Sequence, residues 1–362
     1  VEHLIGNNLT MTKIFALFSL MISLLTPAAR AWPGQAEDPL KAALELHDAG
    51  KVKEALVEYD KVIKANPKLA EAYFNRGNAH YDLGQNPQAL KDYSEAIRLN
   101  PKDGEAYFNR ANVQRRLKQD LPALNDYGAA IKLNPNDARS YVNRGAIHFD
   151  AKRYDIAVKD FTEAIRIEPK DAQHYYNRGN SYLALNKKDD AIKDYDAALS
   201  RDPSLADAYY NRGIAYADSG KIDNAIGDFD DTLKLNPKSA EAYYNRGLAK
   251  MKSAKYEAAI EDYSEAARLN PKDPEAPFNR GLAYLKIDKY DYAARDFTEV
   301  INMQPKNADA YVYRGIIRVY QNKDKEADAD FQKAFQLNPT LKKKLQPIID
   351  EAKAKAKSGA KQ

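Results

Sequence analysis

Nine prolines recur at a fixed interval of 34 residues: Pro67, Pro101, Pro135, Pro169, Pro203, Pro237, Pro271, Pro305 and Pro339. Proline has no backbone N–H and clashes with the preceding turn, so no helix continues through any of these points. Self-similarity at such a period means one small unit stacked on copies of itself, and it outranks every local motif. Setting position 1 at Ala36, at Ala70 and every 34 residues after gives nine repeats over 36–341.

The repeats agree where two helices would have to touch. Position 20 is alanine in all nine, from Ala55 and Ala89 to Ala293 and Ala327. Position 8 is always Gly or Ala, as in Ala43, Gly77, Ala111 and Gly315. Antiparallel helices approach closely only where side chains are small, so these positions mark the crossing. Position 24 is always aromatic, for example Tyr59, Tyr93, Phe161 and Phe331. With the tyrosines of position 4 (Tyr73, Tyr107, Tyr209, Tyr243) it is expected to fill the space between successive pairs. The Asn before many of the prolines (Asn66, Asn100, Asn134, Asn236, Asn270, Asn338) suits a helix end or turn.

This spacing of aromatic, Gly, Ala and Pro resembles the tetratricopeptide repeat (TPR), a 34-residue helix–turn–helix unit. The segment from Ala208 to Pro237 shows it along its whole length, and the likeness extends over all nine copies. The resemblance implies an all-α fold, a right-handed superhelical solenoid of nine antiparallel helix pairs. The first helix of each pair would line a concave groove. Three segments are expected: 1–31 upstream residues and signal, the array 36–341, and a capping helix with a basic tail, 342–362. Leu341, Leu345, Ile348 and Ile349 supply the apolar stripe of the cap, and no regular structure is expected from Lys353 onward. Pro39 makes repeat 1 an atypical end, and Pro274 and Pro277 are tolerable only at a helix start.

Position 6 is not demanded by the fold, yet it reads Asn75, Asn109, Asn143, Asn177, Asn211, Asn245 and Asn279 before Tyr313 ends the series. Asn inside a helix costs ~0.6 kcal/mol relative to Ala, so seven copies cost roughly 4 kcal/mol unless compensated. In peptide-binding members of the family this position faces the groove. The series resembles the asparagine ladder in the repeat domain of O-linked N-acetylglucosamine transferase. A carboxamide there can donate to a peptide C=O and accept from its N–H, holding an extended chain without reading its side chains. Two alternatives stand beside it: duplication copied the residue, or it bonds between neighbouring helices. The adjacent rings at position 5 (Phe74, Phe108, Tyr176, Tyr210, Tyr244) serve packing, or supply apolar anchors if partly exposed.

Position 2 decides what charge the groove prefers. It holds Glu71, Glu105, Arg139, Gln173, Asp207, Glu241, Glu275 and Asp309. A clamp for a terminal carboxylate needs several convergent cations, and only Arg139 has the right sign. A basic or neutral peptide fits better. Position 7 is Arg and position 23 is Asp in repeats 2 to 9, equidistant from the turn. Each Asp is therefore expected to bridge the Arg of its own repeat and that of the next, leaving little for anion binding.

Composition excludes other classes. There is no Cys, so thiolate catalysis, disulfides and Cys-ligated metals are out. Five dispersed His sit in no hydrolase, P-loop or dinucleotide motif, so no enzyme activity and no cofactor is expected. Lys+Arg 56 against Asp+Glu 52 gives +4, and the last 21 residues alone carry +5. The body before them is thus within one charge of neutral, which argues against a nucleic-acid partner. The basic tail is a solvated helix end or a weak contact for an anionic surface.

At the N-terminus, Lys13 precedes the uncharged run Ile14–Leu25, then Pro27 and Ala29-Arg30-Ala31. That is the layout of a secretory signal with cleavage before Trp32; an uncleaved anchor and a buried helix are the alternatives. This twelve-residue run falls short of the ~20 of a membrane-spanning helix. Residues 1–10 precede Met11 and are expected to be an overextended reading frame. The whole reads as a non-catalytic scaffold for a protein or extended peptide, periplasmic or secreted. A targeting or assembly subunit, of a glycosyltransferase or of envelope machinery, is the alternative, and a structural protein that fills its own groove is a third. N-terminal sequencing of exported protein is expected to begin at Trp32; an intact apolar N-terminus on cytosolic protein would refute export.

Overall fold

The computed structural model describes residues 39–359. The expected signal, Trp32 and residues 360–362 lie outside the described residues. Within them run nineteen α-helices and no strand, from α1 (Pro39–Asp48) to α19 (Thr340–Gly359). They form two compact units that divide after Asn186, with α1 to α9 (Ala172–Ala184) in the first and α10 (Lys188–Arg201) to α19 in the second. In each unit successive helices pack as antiparallel neighbours.

One repeat shows how the period is spent. Its first helix, α3 (Ala70–Asp82), has 13 residues and its second, α4 (Asn86–Leu99), has 14. Leu83-Gly84-Gln85 joins them, and Gly84 has φ of +71°. Every repeat places a left-handed residue at this point, position 15, with φ between +57° and +76°. Only Gly50, Gly84 and Gly220 are glycine; Lys118, Lys152, Asn186, Ala254, Asp288 and Asn322 are not. The second turn is the Asn-Pro one. Asn100 caps α4 by donating its N–H to Ala96 O, and its side chain accepts from Lys102 N at 3.3 Å. Four further repeats, at Asn66, Asn134, Asn236 and Asn338, repeat that side-chain bond.

The core lies along the crossings. All nine alanines of position 20 have no exposed surface. The ring of position 24 rests on position 8 of its own repeat: a Cβ on Gly77 would lie 2.8 Å from Tyr93, and one on Gly247 2.8 Å from Tyr263. It also reaches the next repeat, as Tyr93 packs with Val113 and Leu117. The proline-bearing helix α15 (Glu275–Lys286) starts late, with Pro274 as its N-cap and Pro277 buried in its first turn.

The C-terminal end differs from expectation in two ways. Helix α19 continues through Gly359, because the Ala- and Lys-rich segment after Lys353 consists of strong helix formers. Lys353 Nζ also bonds Asp328 at 2.6 Å. Of the apolar stripe, Ile349 is buried and Leu345 packs against Phe331 and Val319, whereas Ile348 points outward at 49% exposure.

A residue with a Cβ in the left-handed region costs about 1–2 kcal/mol, and Ala254 has no polar side chain to compensate. Ala254→Gly is expected to stabilise the protein by about 1 kcal/mol in urea unfolding. A lower midpoint would show that the turn is not held at this geometry in solution.

Candidate functional site

In each unit the first helices carry two ladders, at the neighbouring positions 7 and 6. The inner one is ionic. Arg76 donates to Asp92 through Nε at 2.8 Å and through its terminal nitrogen at 2.6 Å, a bidentate pair. Arg110–Asp126, Arg144–Asp160, Arg212–Asp228, Arg246–Asp262, Arg280–Asp296 and Arg314–Asp330 repeat it. These Asp residues are all buried. Burial pushes the Asp228 and Asp296 carboxyls above the usual range, while Arg212 and Arg280 pull them back. Tyrosine rings of position 4 lie against the same guanidiniums, Tyr73 at 5.5 Å from Arg76.

The sequence-based expectation that each Asp bridges two Args fails here. The link to the preceding repeat comes from position 25, one helical step away. Arg76 reaches Asp60 at 2.6 Å, Arg246 reaches Asp230, and Arg110 and Arg314 reach the hydroxyls of Ser94 and Thr298. Position 23 points into its own helix pair: its oxygens accept from its own Arg, and further partners such as Gln114 on Asp126, Lys250 on Asp262 and Arg318 on Asp330 come from the same first helix. At Arg144 the corresponding residue is Gly128, which offers no side chain.

The outer ladder is the asparagine series. In the first unit Asn109 Nδ2 donates to Asn78 Oδ1 at 3.0 Å, and Asn143 Nδ2 to Asn112 Oδ1 at 3.1 Å. The same acceptors receive the hydroxyls of Tyr93 and Tyr127 at 2.7 and 2.6 Å. In the second unit Asn245 and Asn279 donate to the hydroxyls of Tyr210 and Tyr244, at 2.8 and 3.0 Å, and to the backbone of Glu241 and Glu275. Asn177 and Asn211 are buried at 3% exposure, and Asn177 Oδ1 accepts from Gln173. The donors are thus largely spent between helices. Among the described residues, Oδ1 of Asn109, Asn143, Asn245 and Asn279 accepts no bond, and Asn75 makes none at all. All five are half-buried. Asn75 follows repeat 1, whose Leu40 and Leu44 have nothing to offer it.

The position-5 rings go mainly to packing. Phe74 and Phe108 lie 5.9 Å from Tyr93 and Tyr127, and Tyr210 and Tyr244 lie 5.9 and 5.8 Å from Phe229 and Tyr263. Phe108 and Tyr176 are buried. Phe74, Tyr210 and Tyr244 keep a partly exposed edge. Burial, with the Glu241 carboxylate second, pushes the Tyr210 phenol up to about 12, so it stays a hydroxyl. At position 2, Arg139 is held by Glu105 and Asp137 and covers the Phe108 ring at 4.6 Å. Glu71, Asp207, Glu241, Glu275 and Asp309 are exposed and in no ion pair among the described residues.

Sequence reading overlooked position 9, whose signal is a pairing within the repeat. Asn78, Asn112 and Asn180 occur with Tyr93, Tyr127 and Tyr195, whereas Ala146, Ile214, Leu282 and Ile316 occur with Phe161, Phe229, Phe297 and Phe331. A hydroxyl is present where an amide can receive it. The two exceptions, Leu44 with Tyr59 and Leu248 with Tyr263, are the two whose buried hydroxyls have no partner.

Family models for the tetratricopeptide repeat match residues 43–84, 77–118, 104–137, 138–171, 176–240, 212–274, 244–291 and 278–340. The chain belongs to the tetratricopeptide-repeat family. TPR proteins are usually non-catalytic scaffolds that bind proteins or peptides, and among the described residues no helix is long and apolar enough to cross a membrane. No curated protein sequence matches the chain. Among solved structures it is similar to YrrB, described as a TPR protein with an unusual peptide-binding site. That likeness has 24% identity and a TM-score of 0.47, covering 51% of this chain and 95% of YrrB. MamA is 28% identical with a TM-score of 0.44, over 46% of this chain and 96% of MamA. A TPR protein from Parabacteroides merdae is 23% identical with a TM-score of 0.49, over 70% and 98%.

Tyr263→Phe is expected to stabilise the TPR fold by about 1 kcal/mol, because it removes a buried hydroxyl with no partner. Tyr93→Phe should destabilise it by a similar amount, since it strips one donor from Asn78. Paired urea melts decide this; shifts of the same sign would show that the pairing at positions 9 and 24 has no energetic content.

Proposed function

We propose that this TPR protein is a non-catalytic scaffold that works outside the cytoplasm and holds extended basic peptide along the first helices of each unit. The observation that carries the reading is the row of uncommitted Asn oxygens. Oδ1 of Asn75, Asn109 and Asn143 in the first unit, and of Asn245 and Asn279 in the second, are the acceptors left over. The mode of holding is therefore narrower than a two-way amide contact. The Asn side chains accept the peptide's N–H groups, while their own N–H groups tie one helix to the next.

Spacing agrees with this. Adjacent first helices lie on the scale of helix packing, ~10 Å. An extended chain advances about 3.3 Å per residue, so one Asn meets roughly every third peptide residue. Backbone contact of this kind tolerates many sequences. The unpaired carboxylates of Glu71, Asp207, Glu241, Glu275 and Asp309 then favour Lys- and Arg-bearing segments and make the on-rate salt-dependent. Export is supported by Lys13, the apolar run Ile14–Leu25 and Ala29-Arg30-Ala31.

Asn75 is the cleanest probe, because it holds nothing together. Asn75→Ala should weaken binding of extended Lys/Arg-rich peptides by about 1 kcal/mol without lowering the melting temperature. Asn245→Asp with Asn279→Asp should retain an acceptor at each site and keep more affinity than the double Ala variant. Fluorescence titration with a peptide array reads both. Wild-type binding by Asn75→Ala and by the double Ala variant would leave the asparagines as purely structural staples.

A further inference from the structure

His174 is out of pattern. It occupies position 3, where the other repeats after the first place Ala72, Ala106, Ala208, Ala242, Ala276 and Ala310, all buried, or Ser140. Glu168 is out of pattern too: it occupies position 31, where six repeats place Asn. The two departures meet at one turn. Glu168 is the C-cap of α8 (Tyr154–Ile167), Asp171 is the N-cap of α9, and His174 lies in the first turn of α9.

The imidazole is buried at 6% exposure. Its Nε2 lies 2.9 Å from Glu168 Oε2. Its Nδ1 lies 3.9 Å from Asp171 Oδ1 and, although buried, has no hydrogen-bond partner. A ligand atom from each of the three residues falls within 4.8 Å of the other two. With the Nε2 proton given to Glu168, the Nδ1 lone pair faces a carboxylate oxygen. Two acceptors then confront each other across a gap that a cation would fill. Zinc–nitrogen and zinc–oxygen bonds are about 2.0–2.2 Å, so one ion between them touches both. A carboxylate on the far ring nitrogen is the usual support of a metal-bound histidine, fixing tautomer and ring angle. An imidazole in the ligand set selects the zinc class over magnesium or calcium, which prefer oxygen alone.

We propose that Asp171 and His174 Nδ1 bind a divalent transition metal of the zinc class, with Glu168 orienting the imidazole and water completing the coordination. The ion sits where one helix ends and the next begins, and it fastens the two.

The array supplies its own safe substitutions: Ala is its usual residue at position 3, Asn at position 31, and Asn307 serves as N-cap at the position equivalent to Asp171. The test is equilibrium dialysis of the untagged, metal-stripped full chain against Zn²⁺, with Mg²⁺ as control, alongside thermal melts. His174→Ala and Asp171→Asn should each lose one zinc per chain, and Glu168→Asn should weaken that site about 10–100-fold. Zinc should raise the melting temperature of the wild type more than that of His174→Ala. Equal zinc content in wild type and His174→Ala, or no zinc bound by the wild type, would overturn the proposal and leave the three residues as a hydrogen-bonded turn without an ion.

Discussion

The contact on which the rest depends is an aromatic ring laid on a residue with almost no side chain. Position 24 of the second helix meets position 8 of the first, and at Gly77, Gly213 and Gly247 an added Cβ would come within 2.9 Å of the ring. That approach sets the separation of the pair. Position 20 must then be alanine, and the ring extends far enough to meet the following repeat. Alternating small and large residues in this way lets a short unit bury its inner face, which one helix pair alone cannot do.

Around that contact the polar groups are ordered by what they can reach. The bidentate Arg–Asp pair closes the helix pairs after the first repeat, and a side chain at position 25, where there is one, ties the same Arg to the previous repeat. Buried ion pairs of this kind add little net stability, since desolvation consumes most of the Coulomb gain. Their two-point geometry, however, fixes how the two helices of one pair meet. The asparagines add a second tie, farther out on the same helices. In the proposed reading structure and recognition share one side chain, whose nitrogen holds the helices while the oxygen is left for a peptide N–H.

The fold was legible because a 34-residue period leaves few readings. The alanine of position 20, the small residue of position 8 and the ring of position 24 behave as packing logic requires. The turns were legible in place but not in conformation, since Lys118, Lys152 and Ala254 give no sign of a left-handed residue. Asp160 was assigned one neighbour too many because equal distance from two turns does not say which way a helix face points. The asparagine oxygens were legible as candidates. The engagement of their nitrogens depended on Asn78, Asn112, Tyr210 and Tyr244, residues that belong to the preceding repeat and become visible only when helices are placed side by side. His174 was legible only as a dispersed histidine, because Glu168 approaches it across a proline turn.

The two ways of receiving an asparagine bear on how such a protein can be rearranged. Within the first unit the receiving group is an amide at position 9; within the second it is a phenol at position 5. A repeat therefore carries a requirement for the unit placed before it, much as a plug requires a socket. Permuting or transplanting repeats is neutral when the sockets agree and leaves a buried polar group unmatched when they do not. Near-identical copies in this array are for that reason not interchangeable parts, and their order is itself encoded.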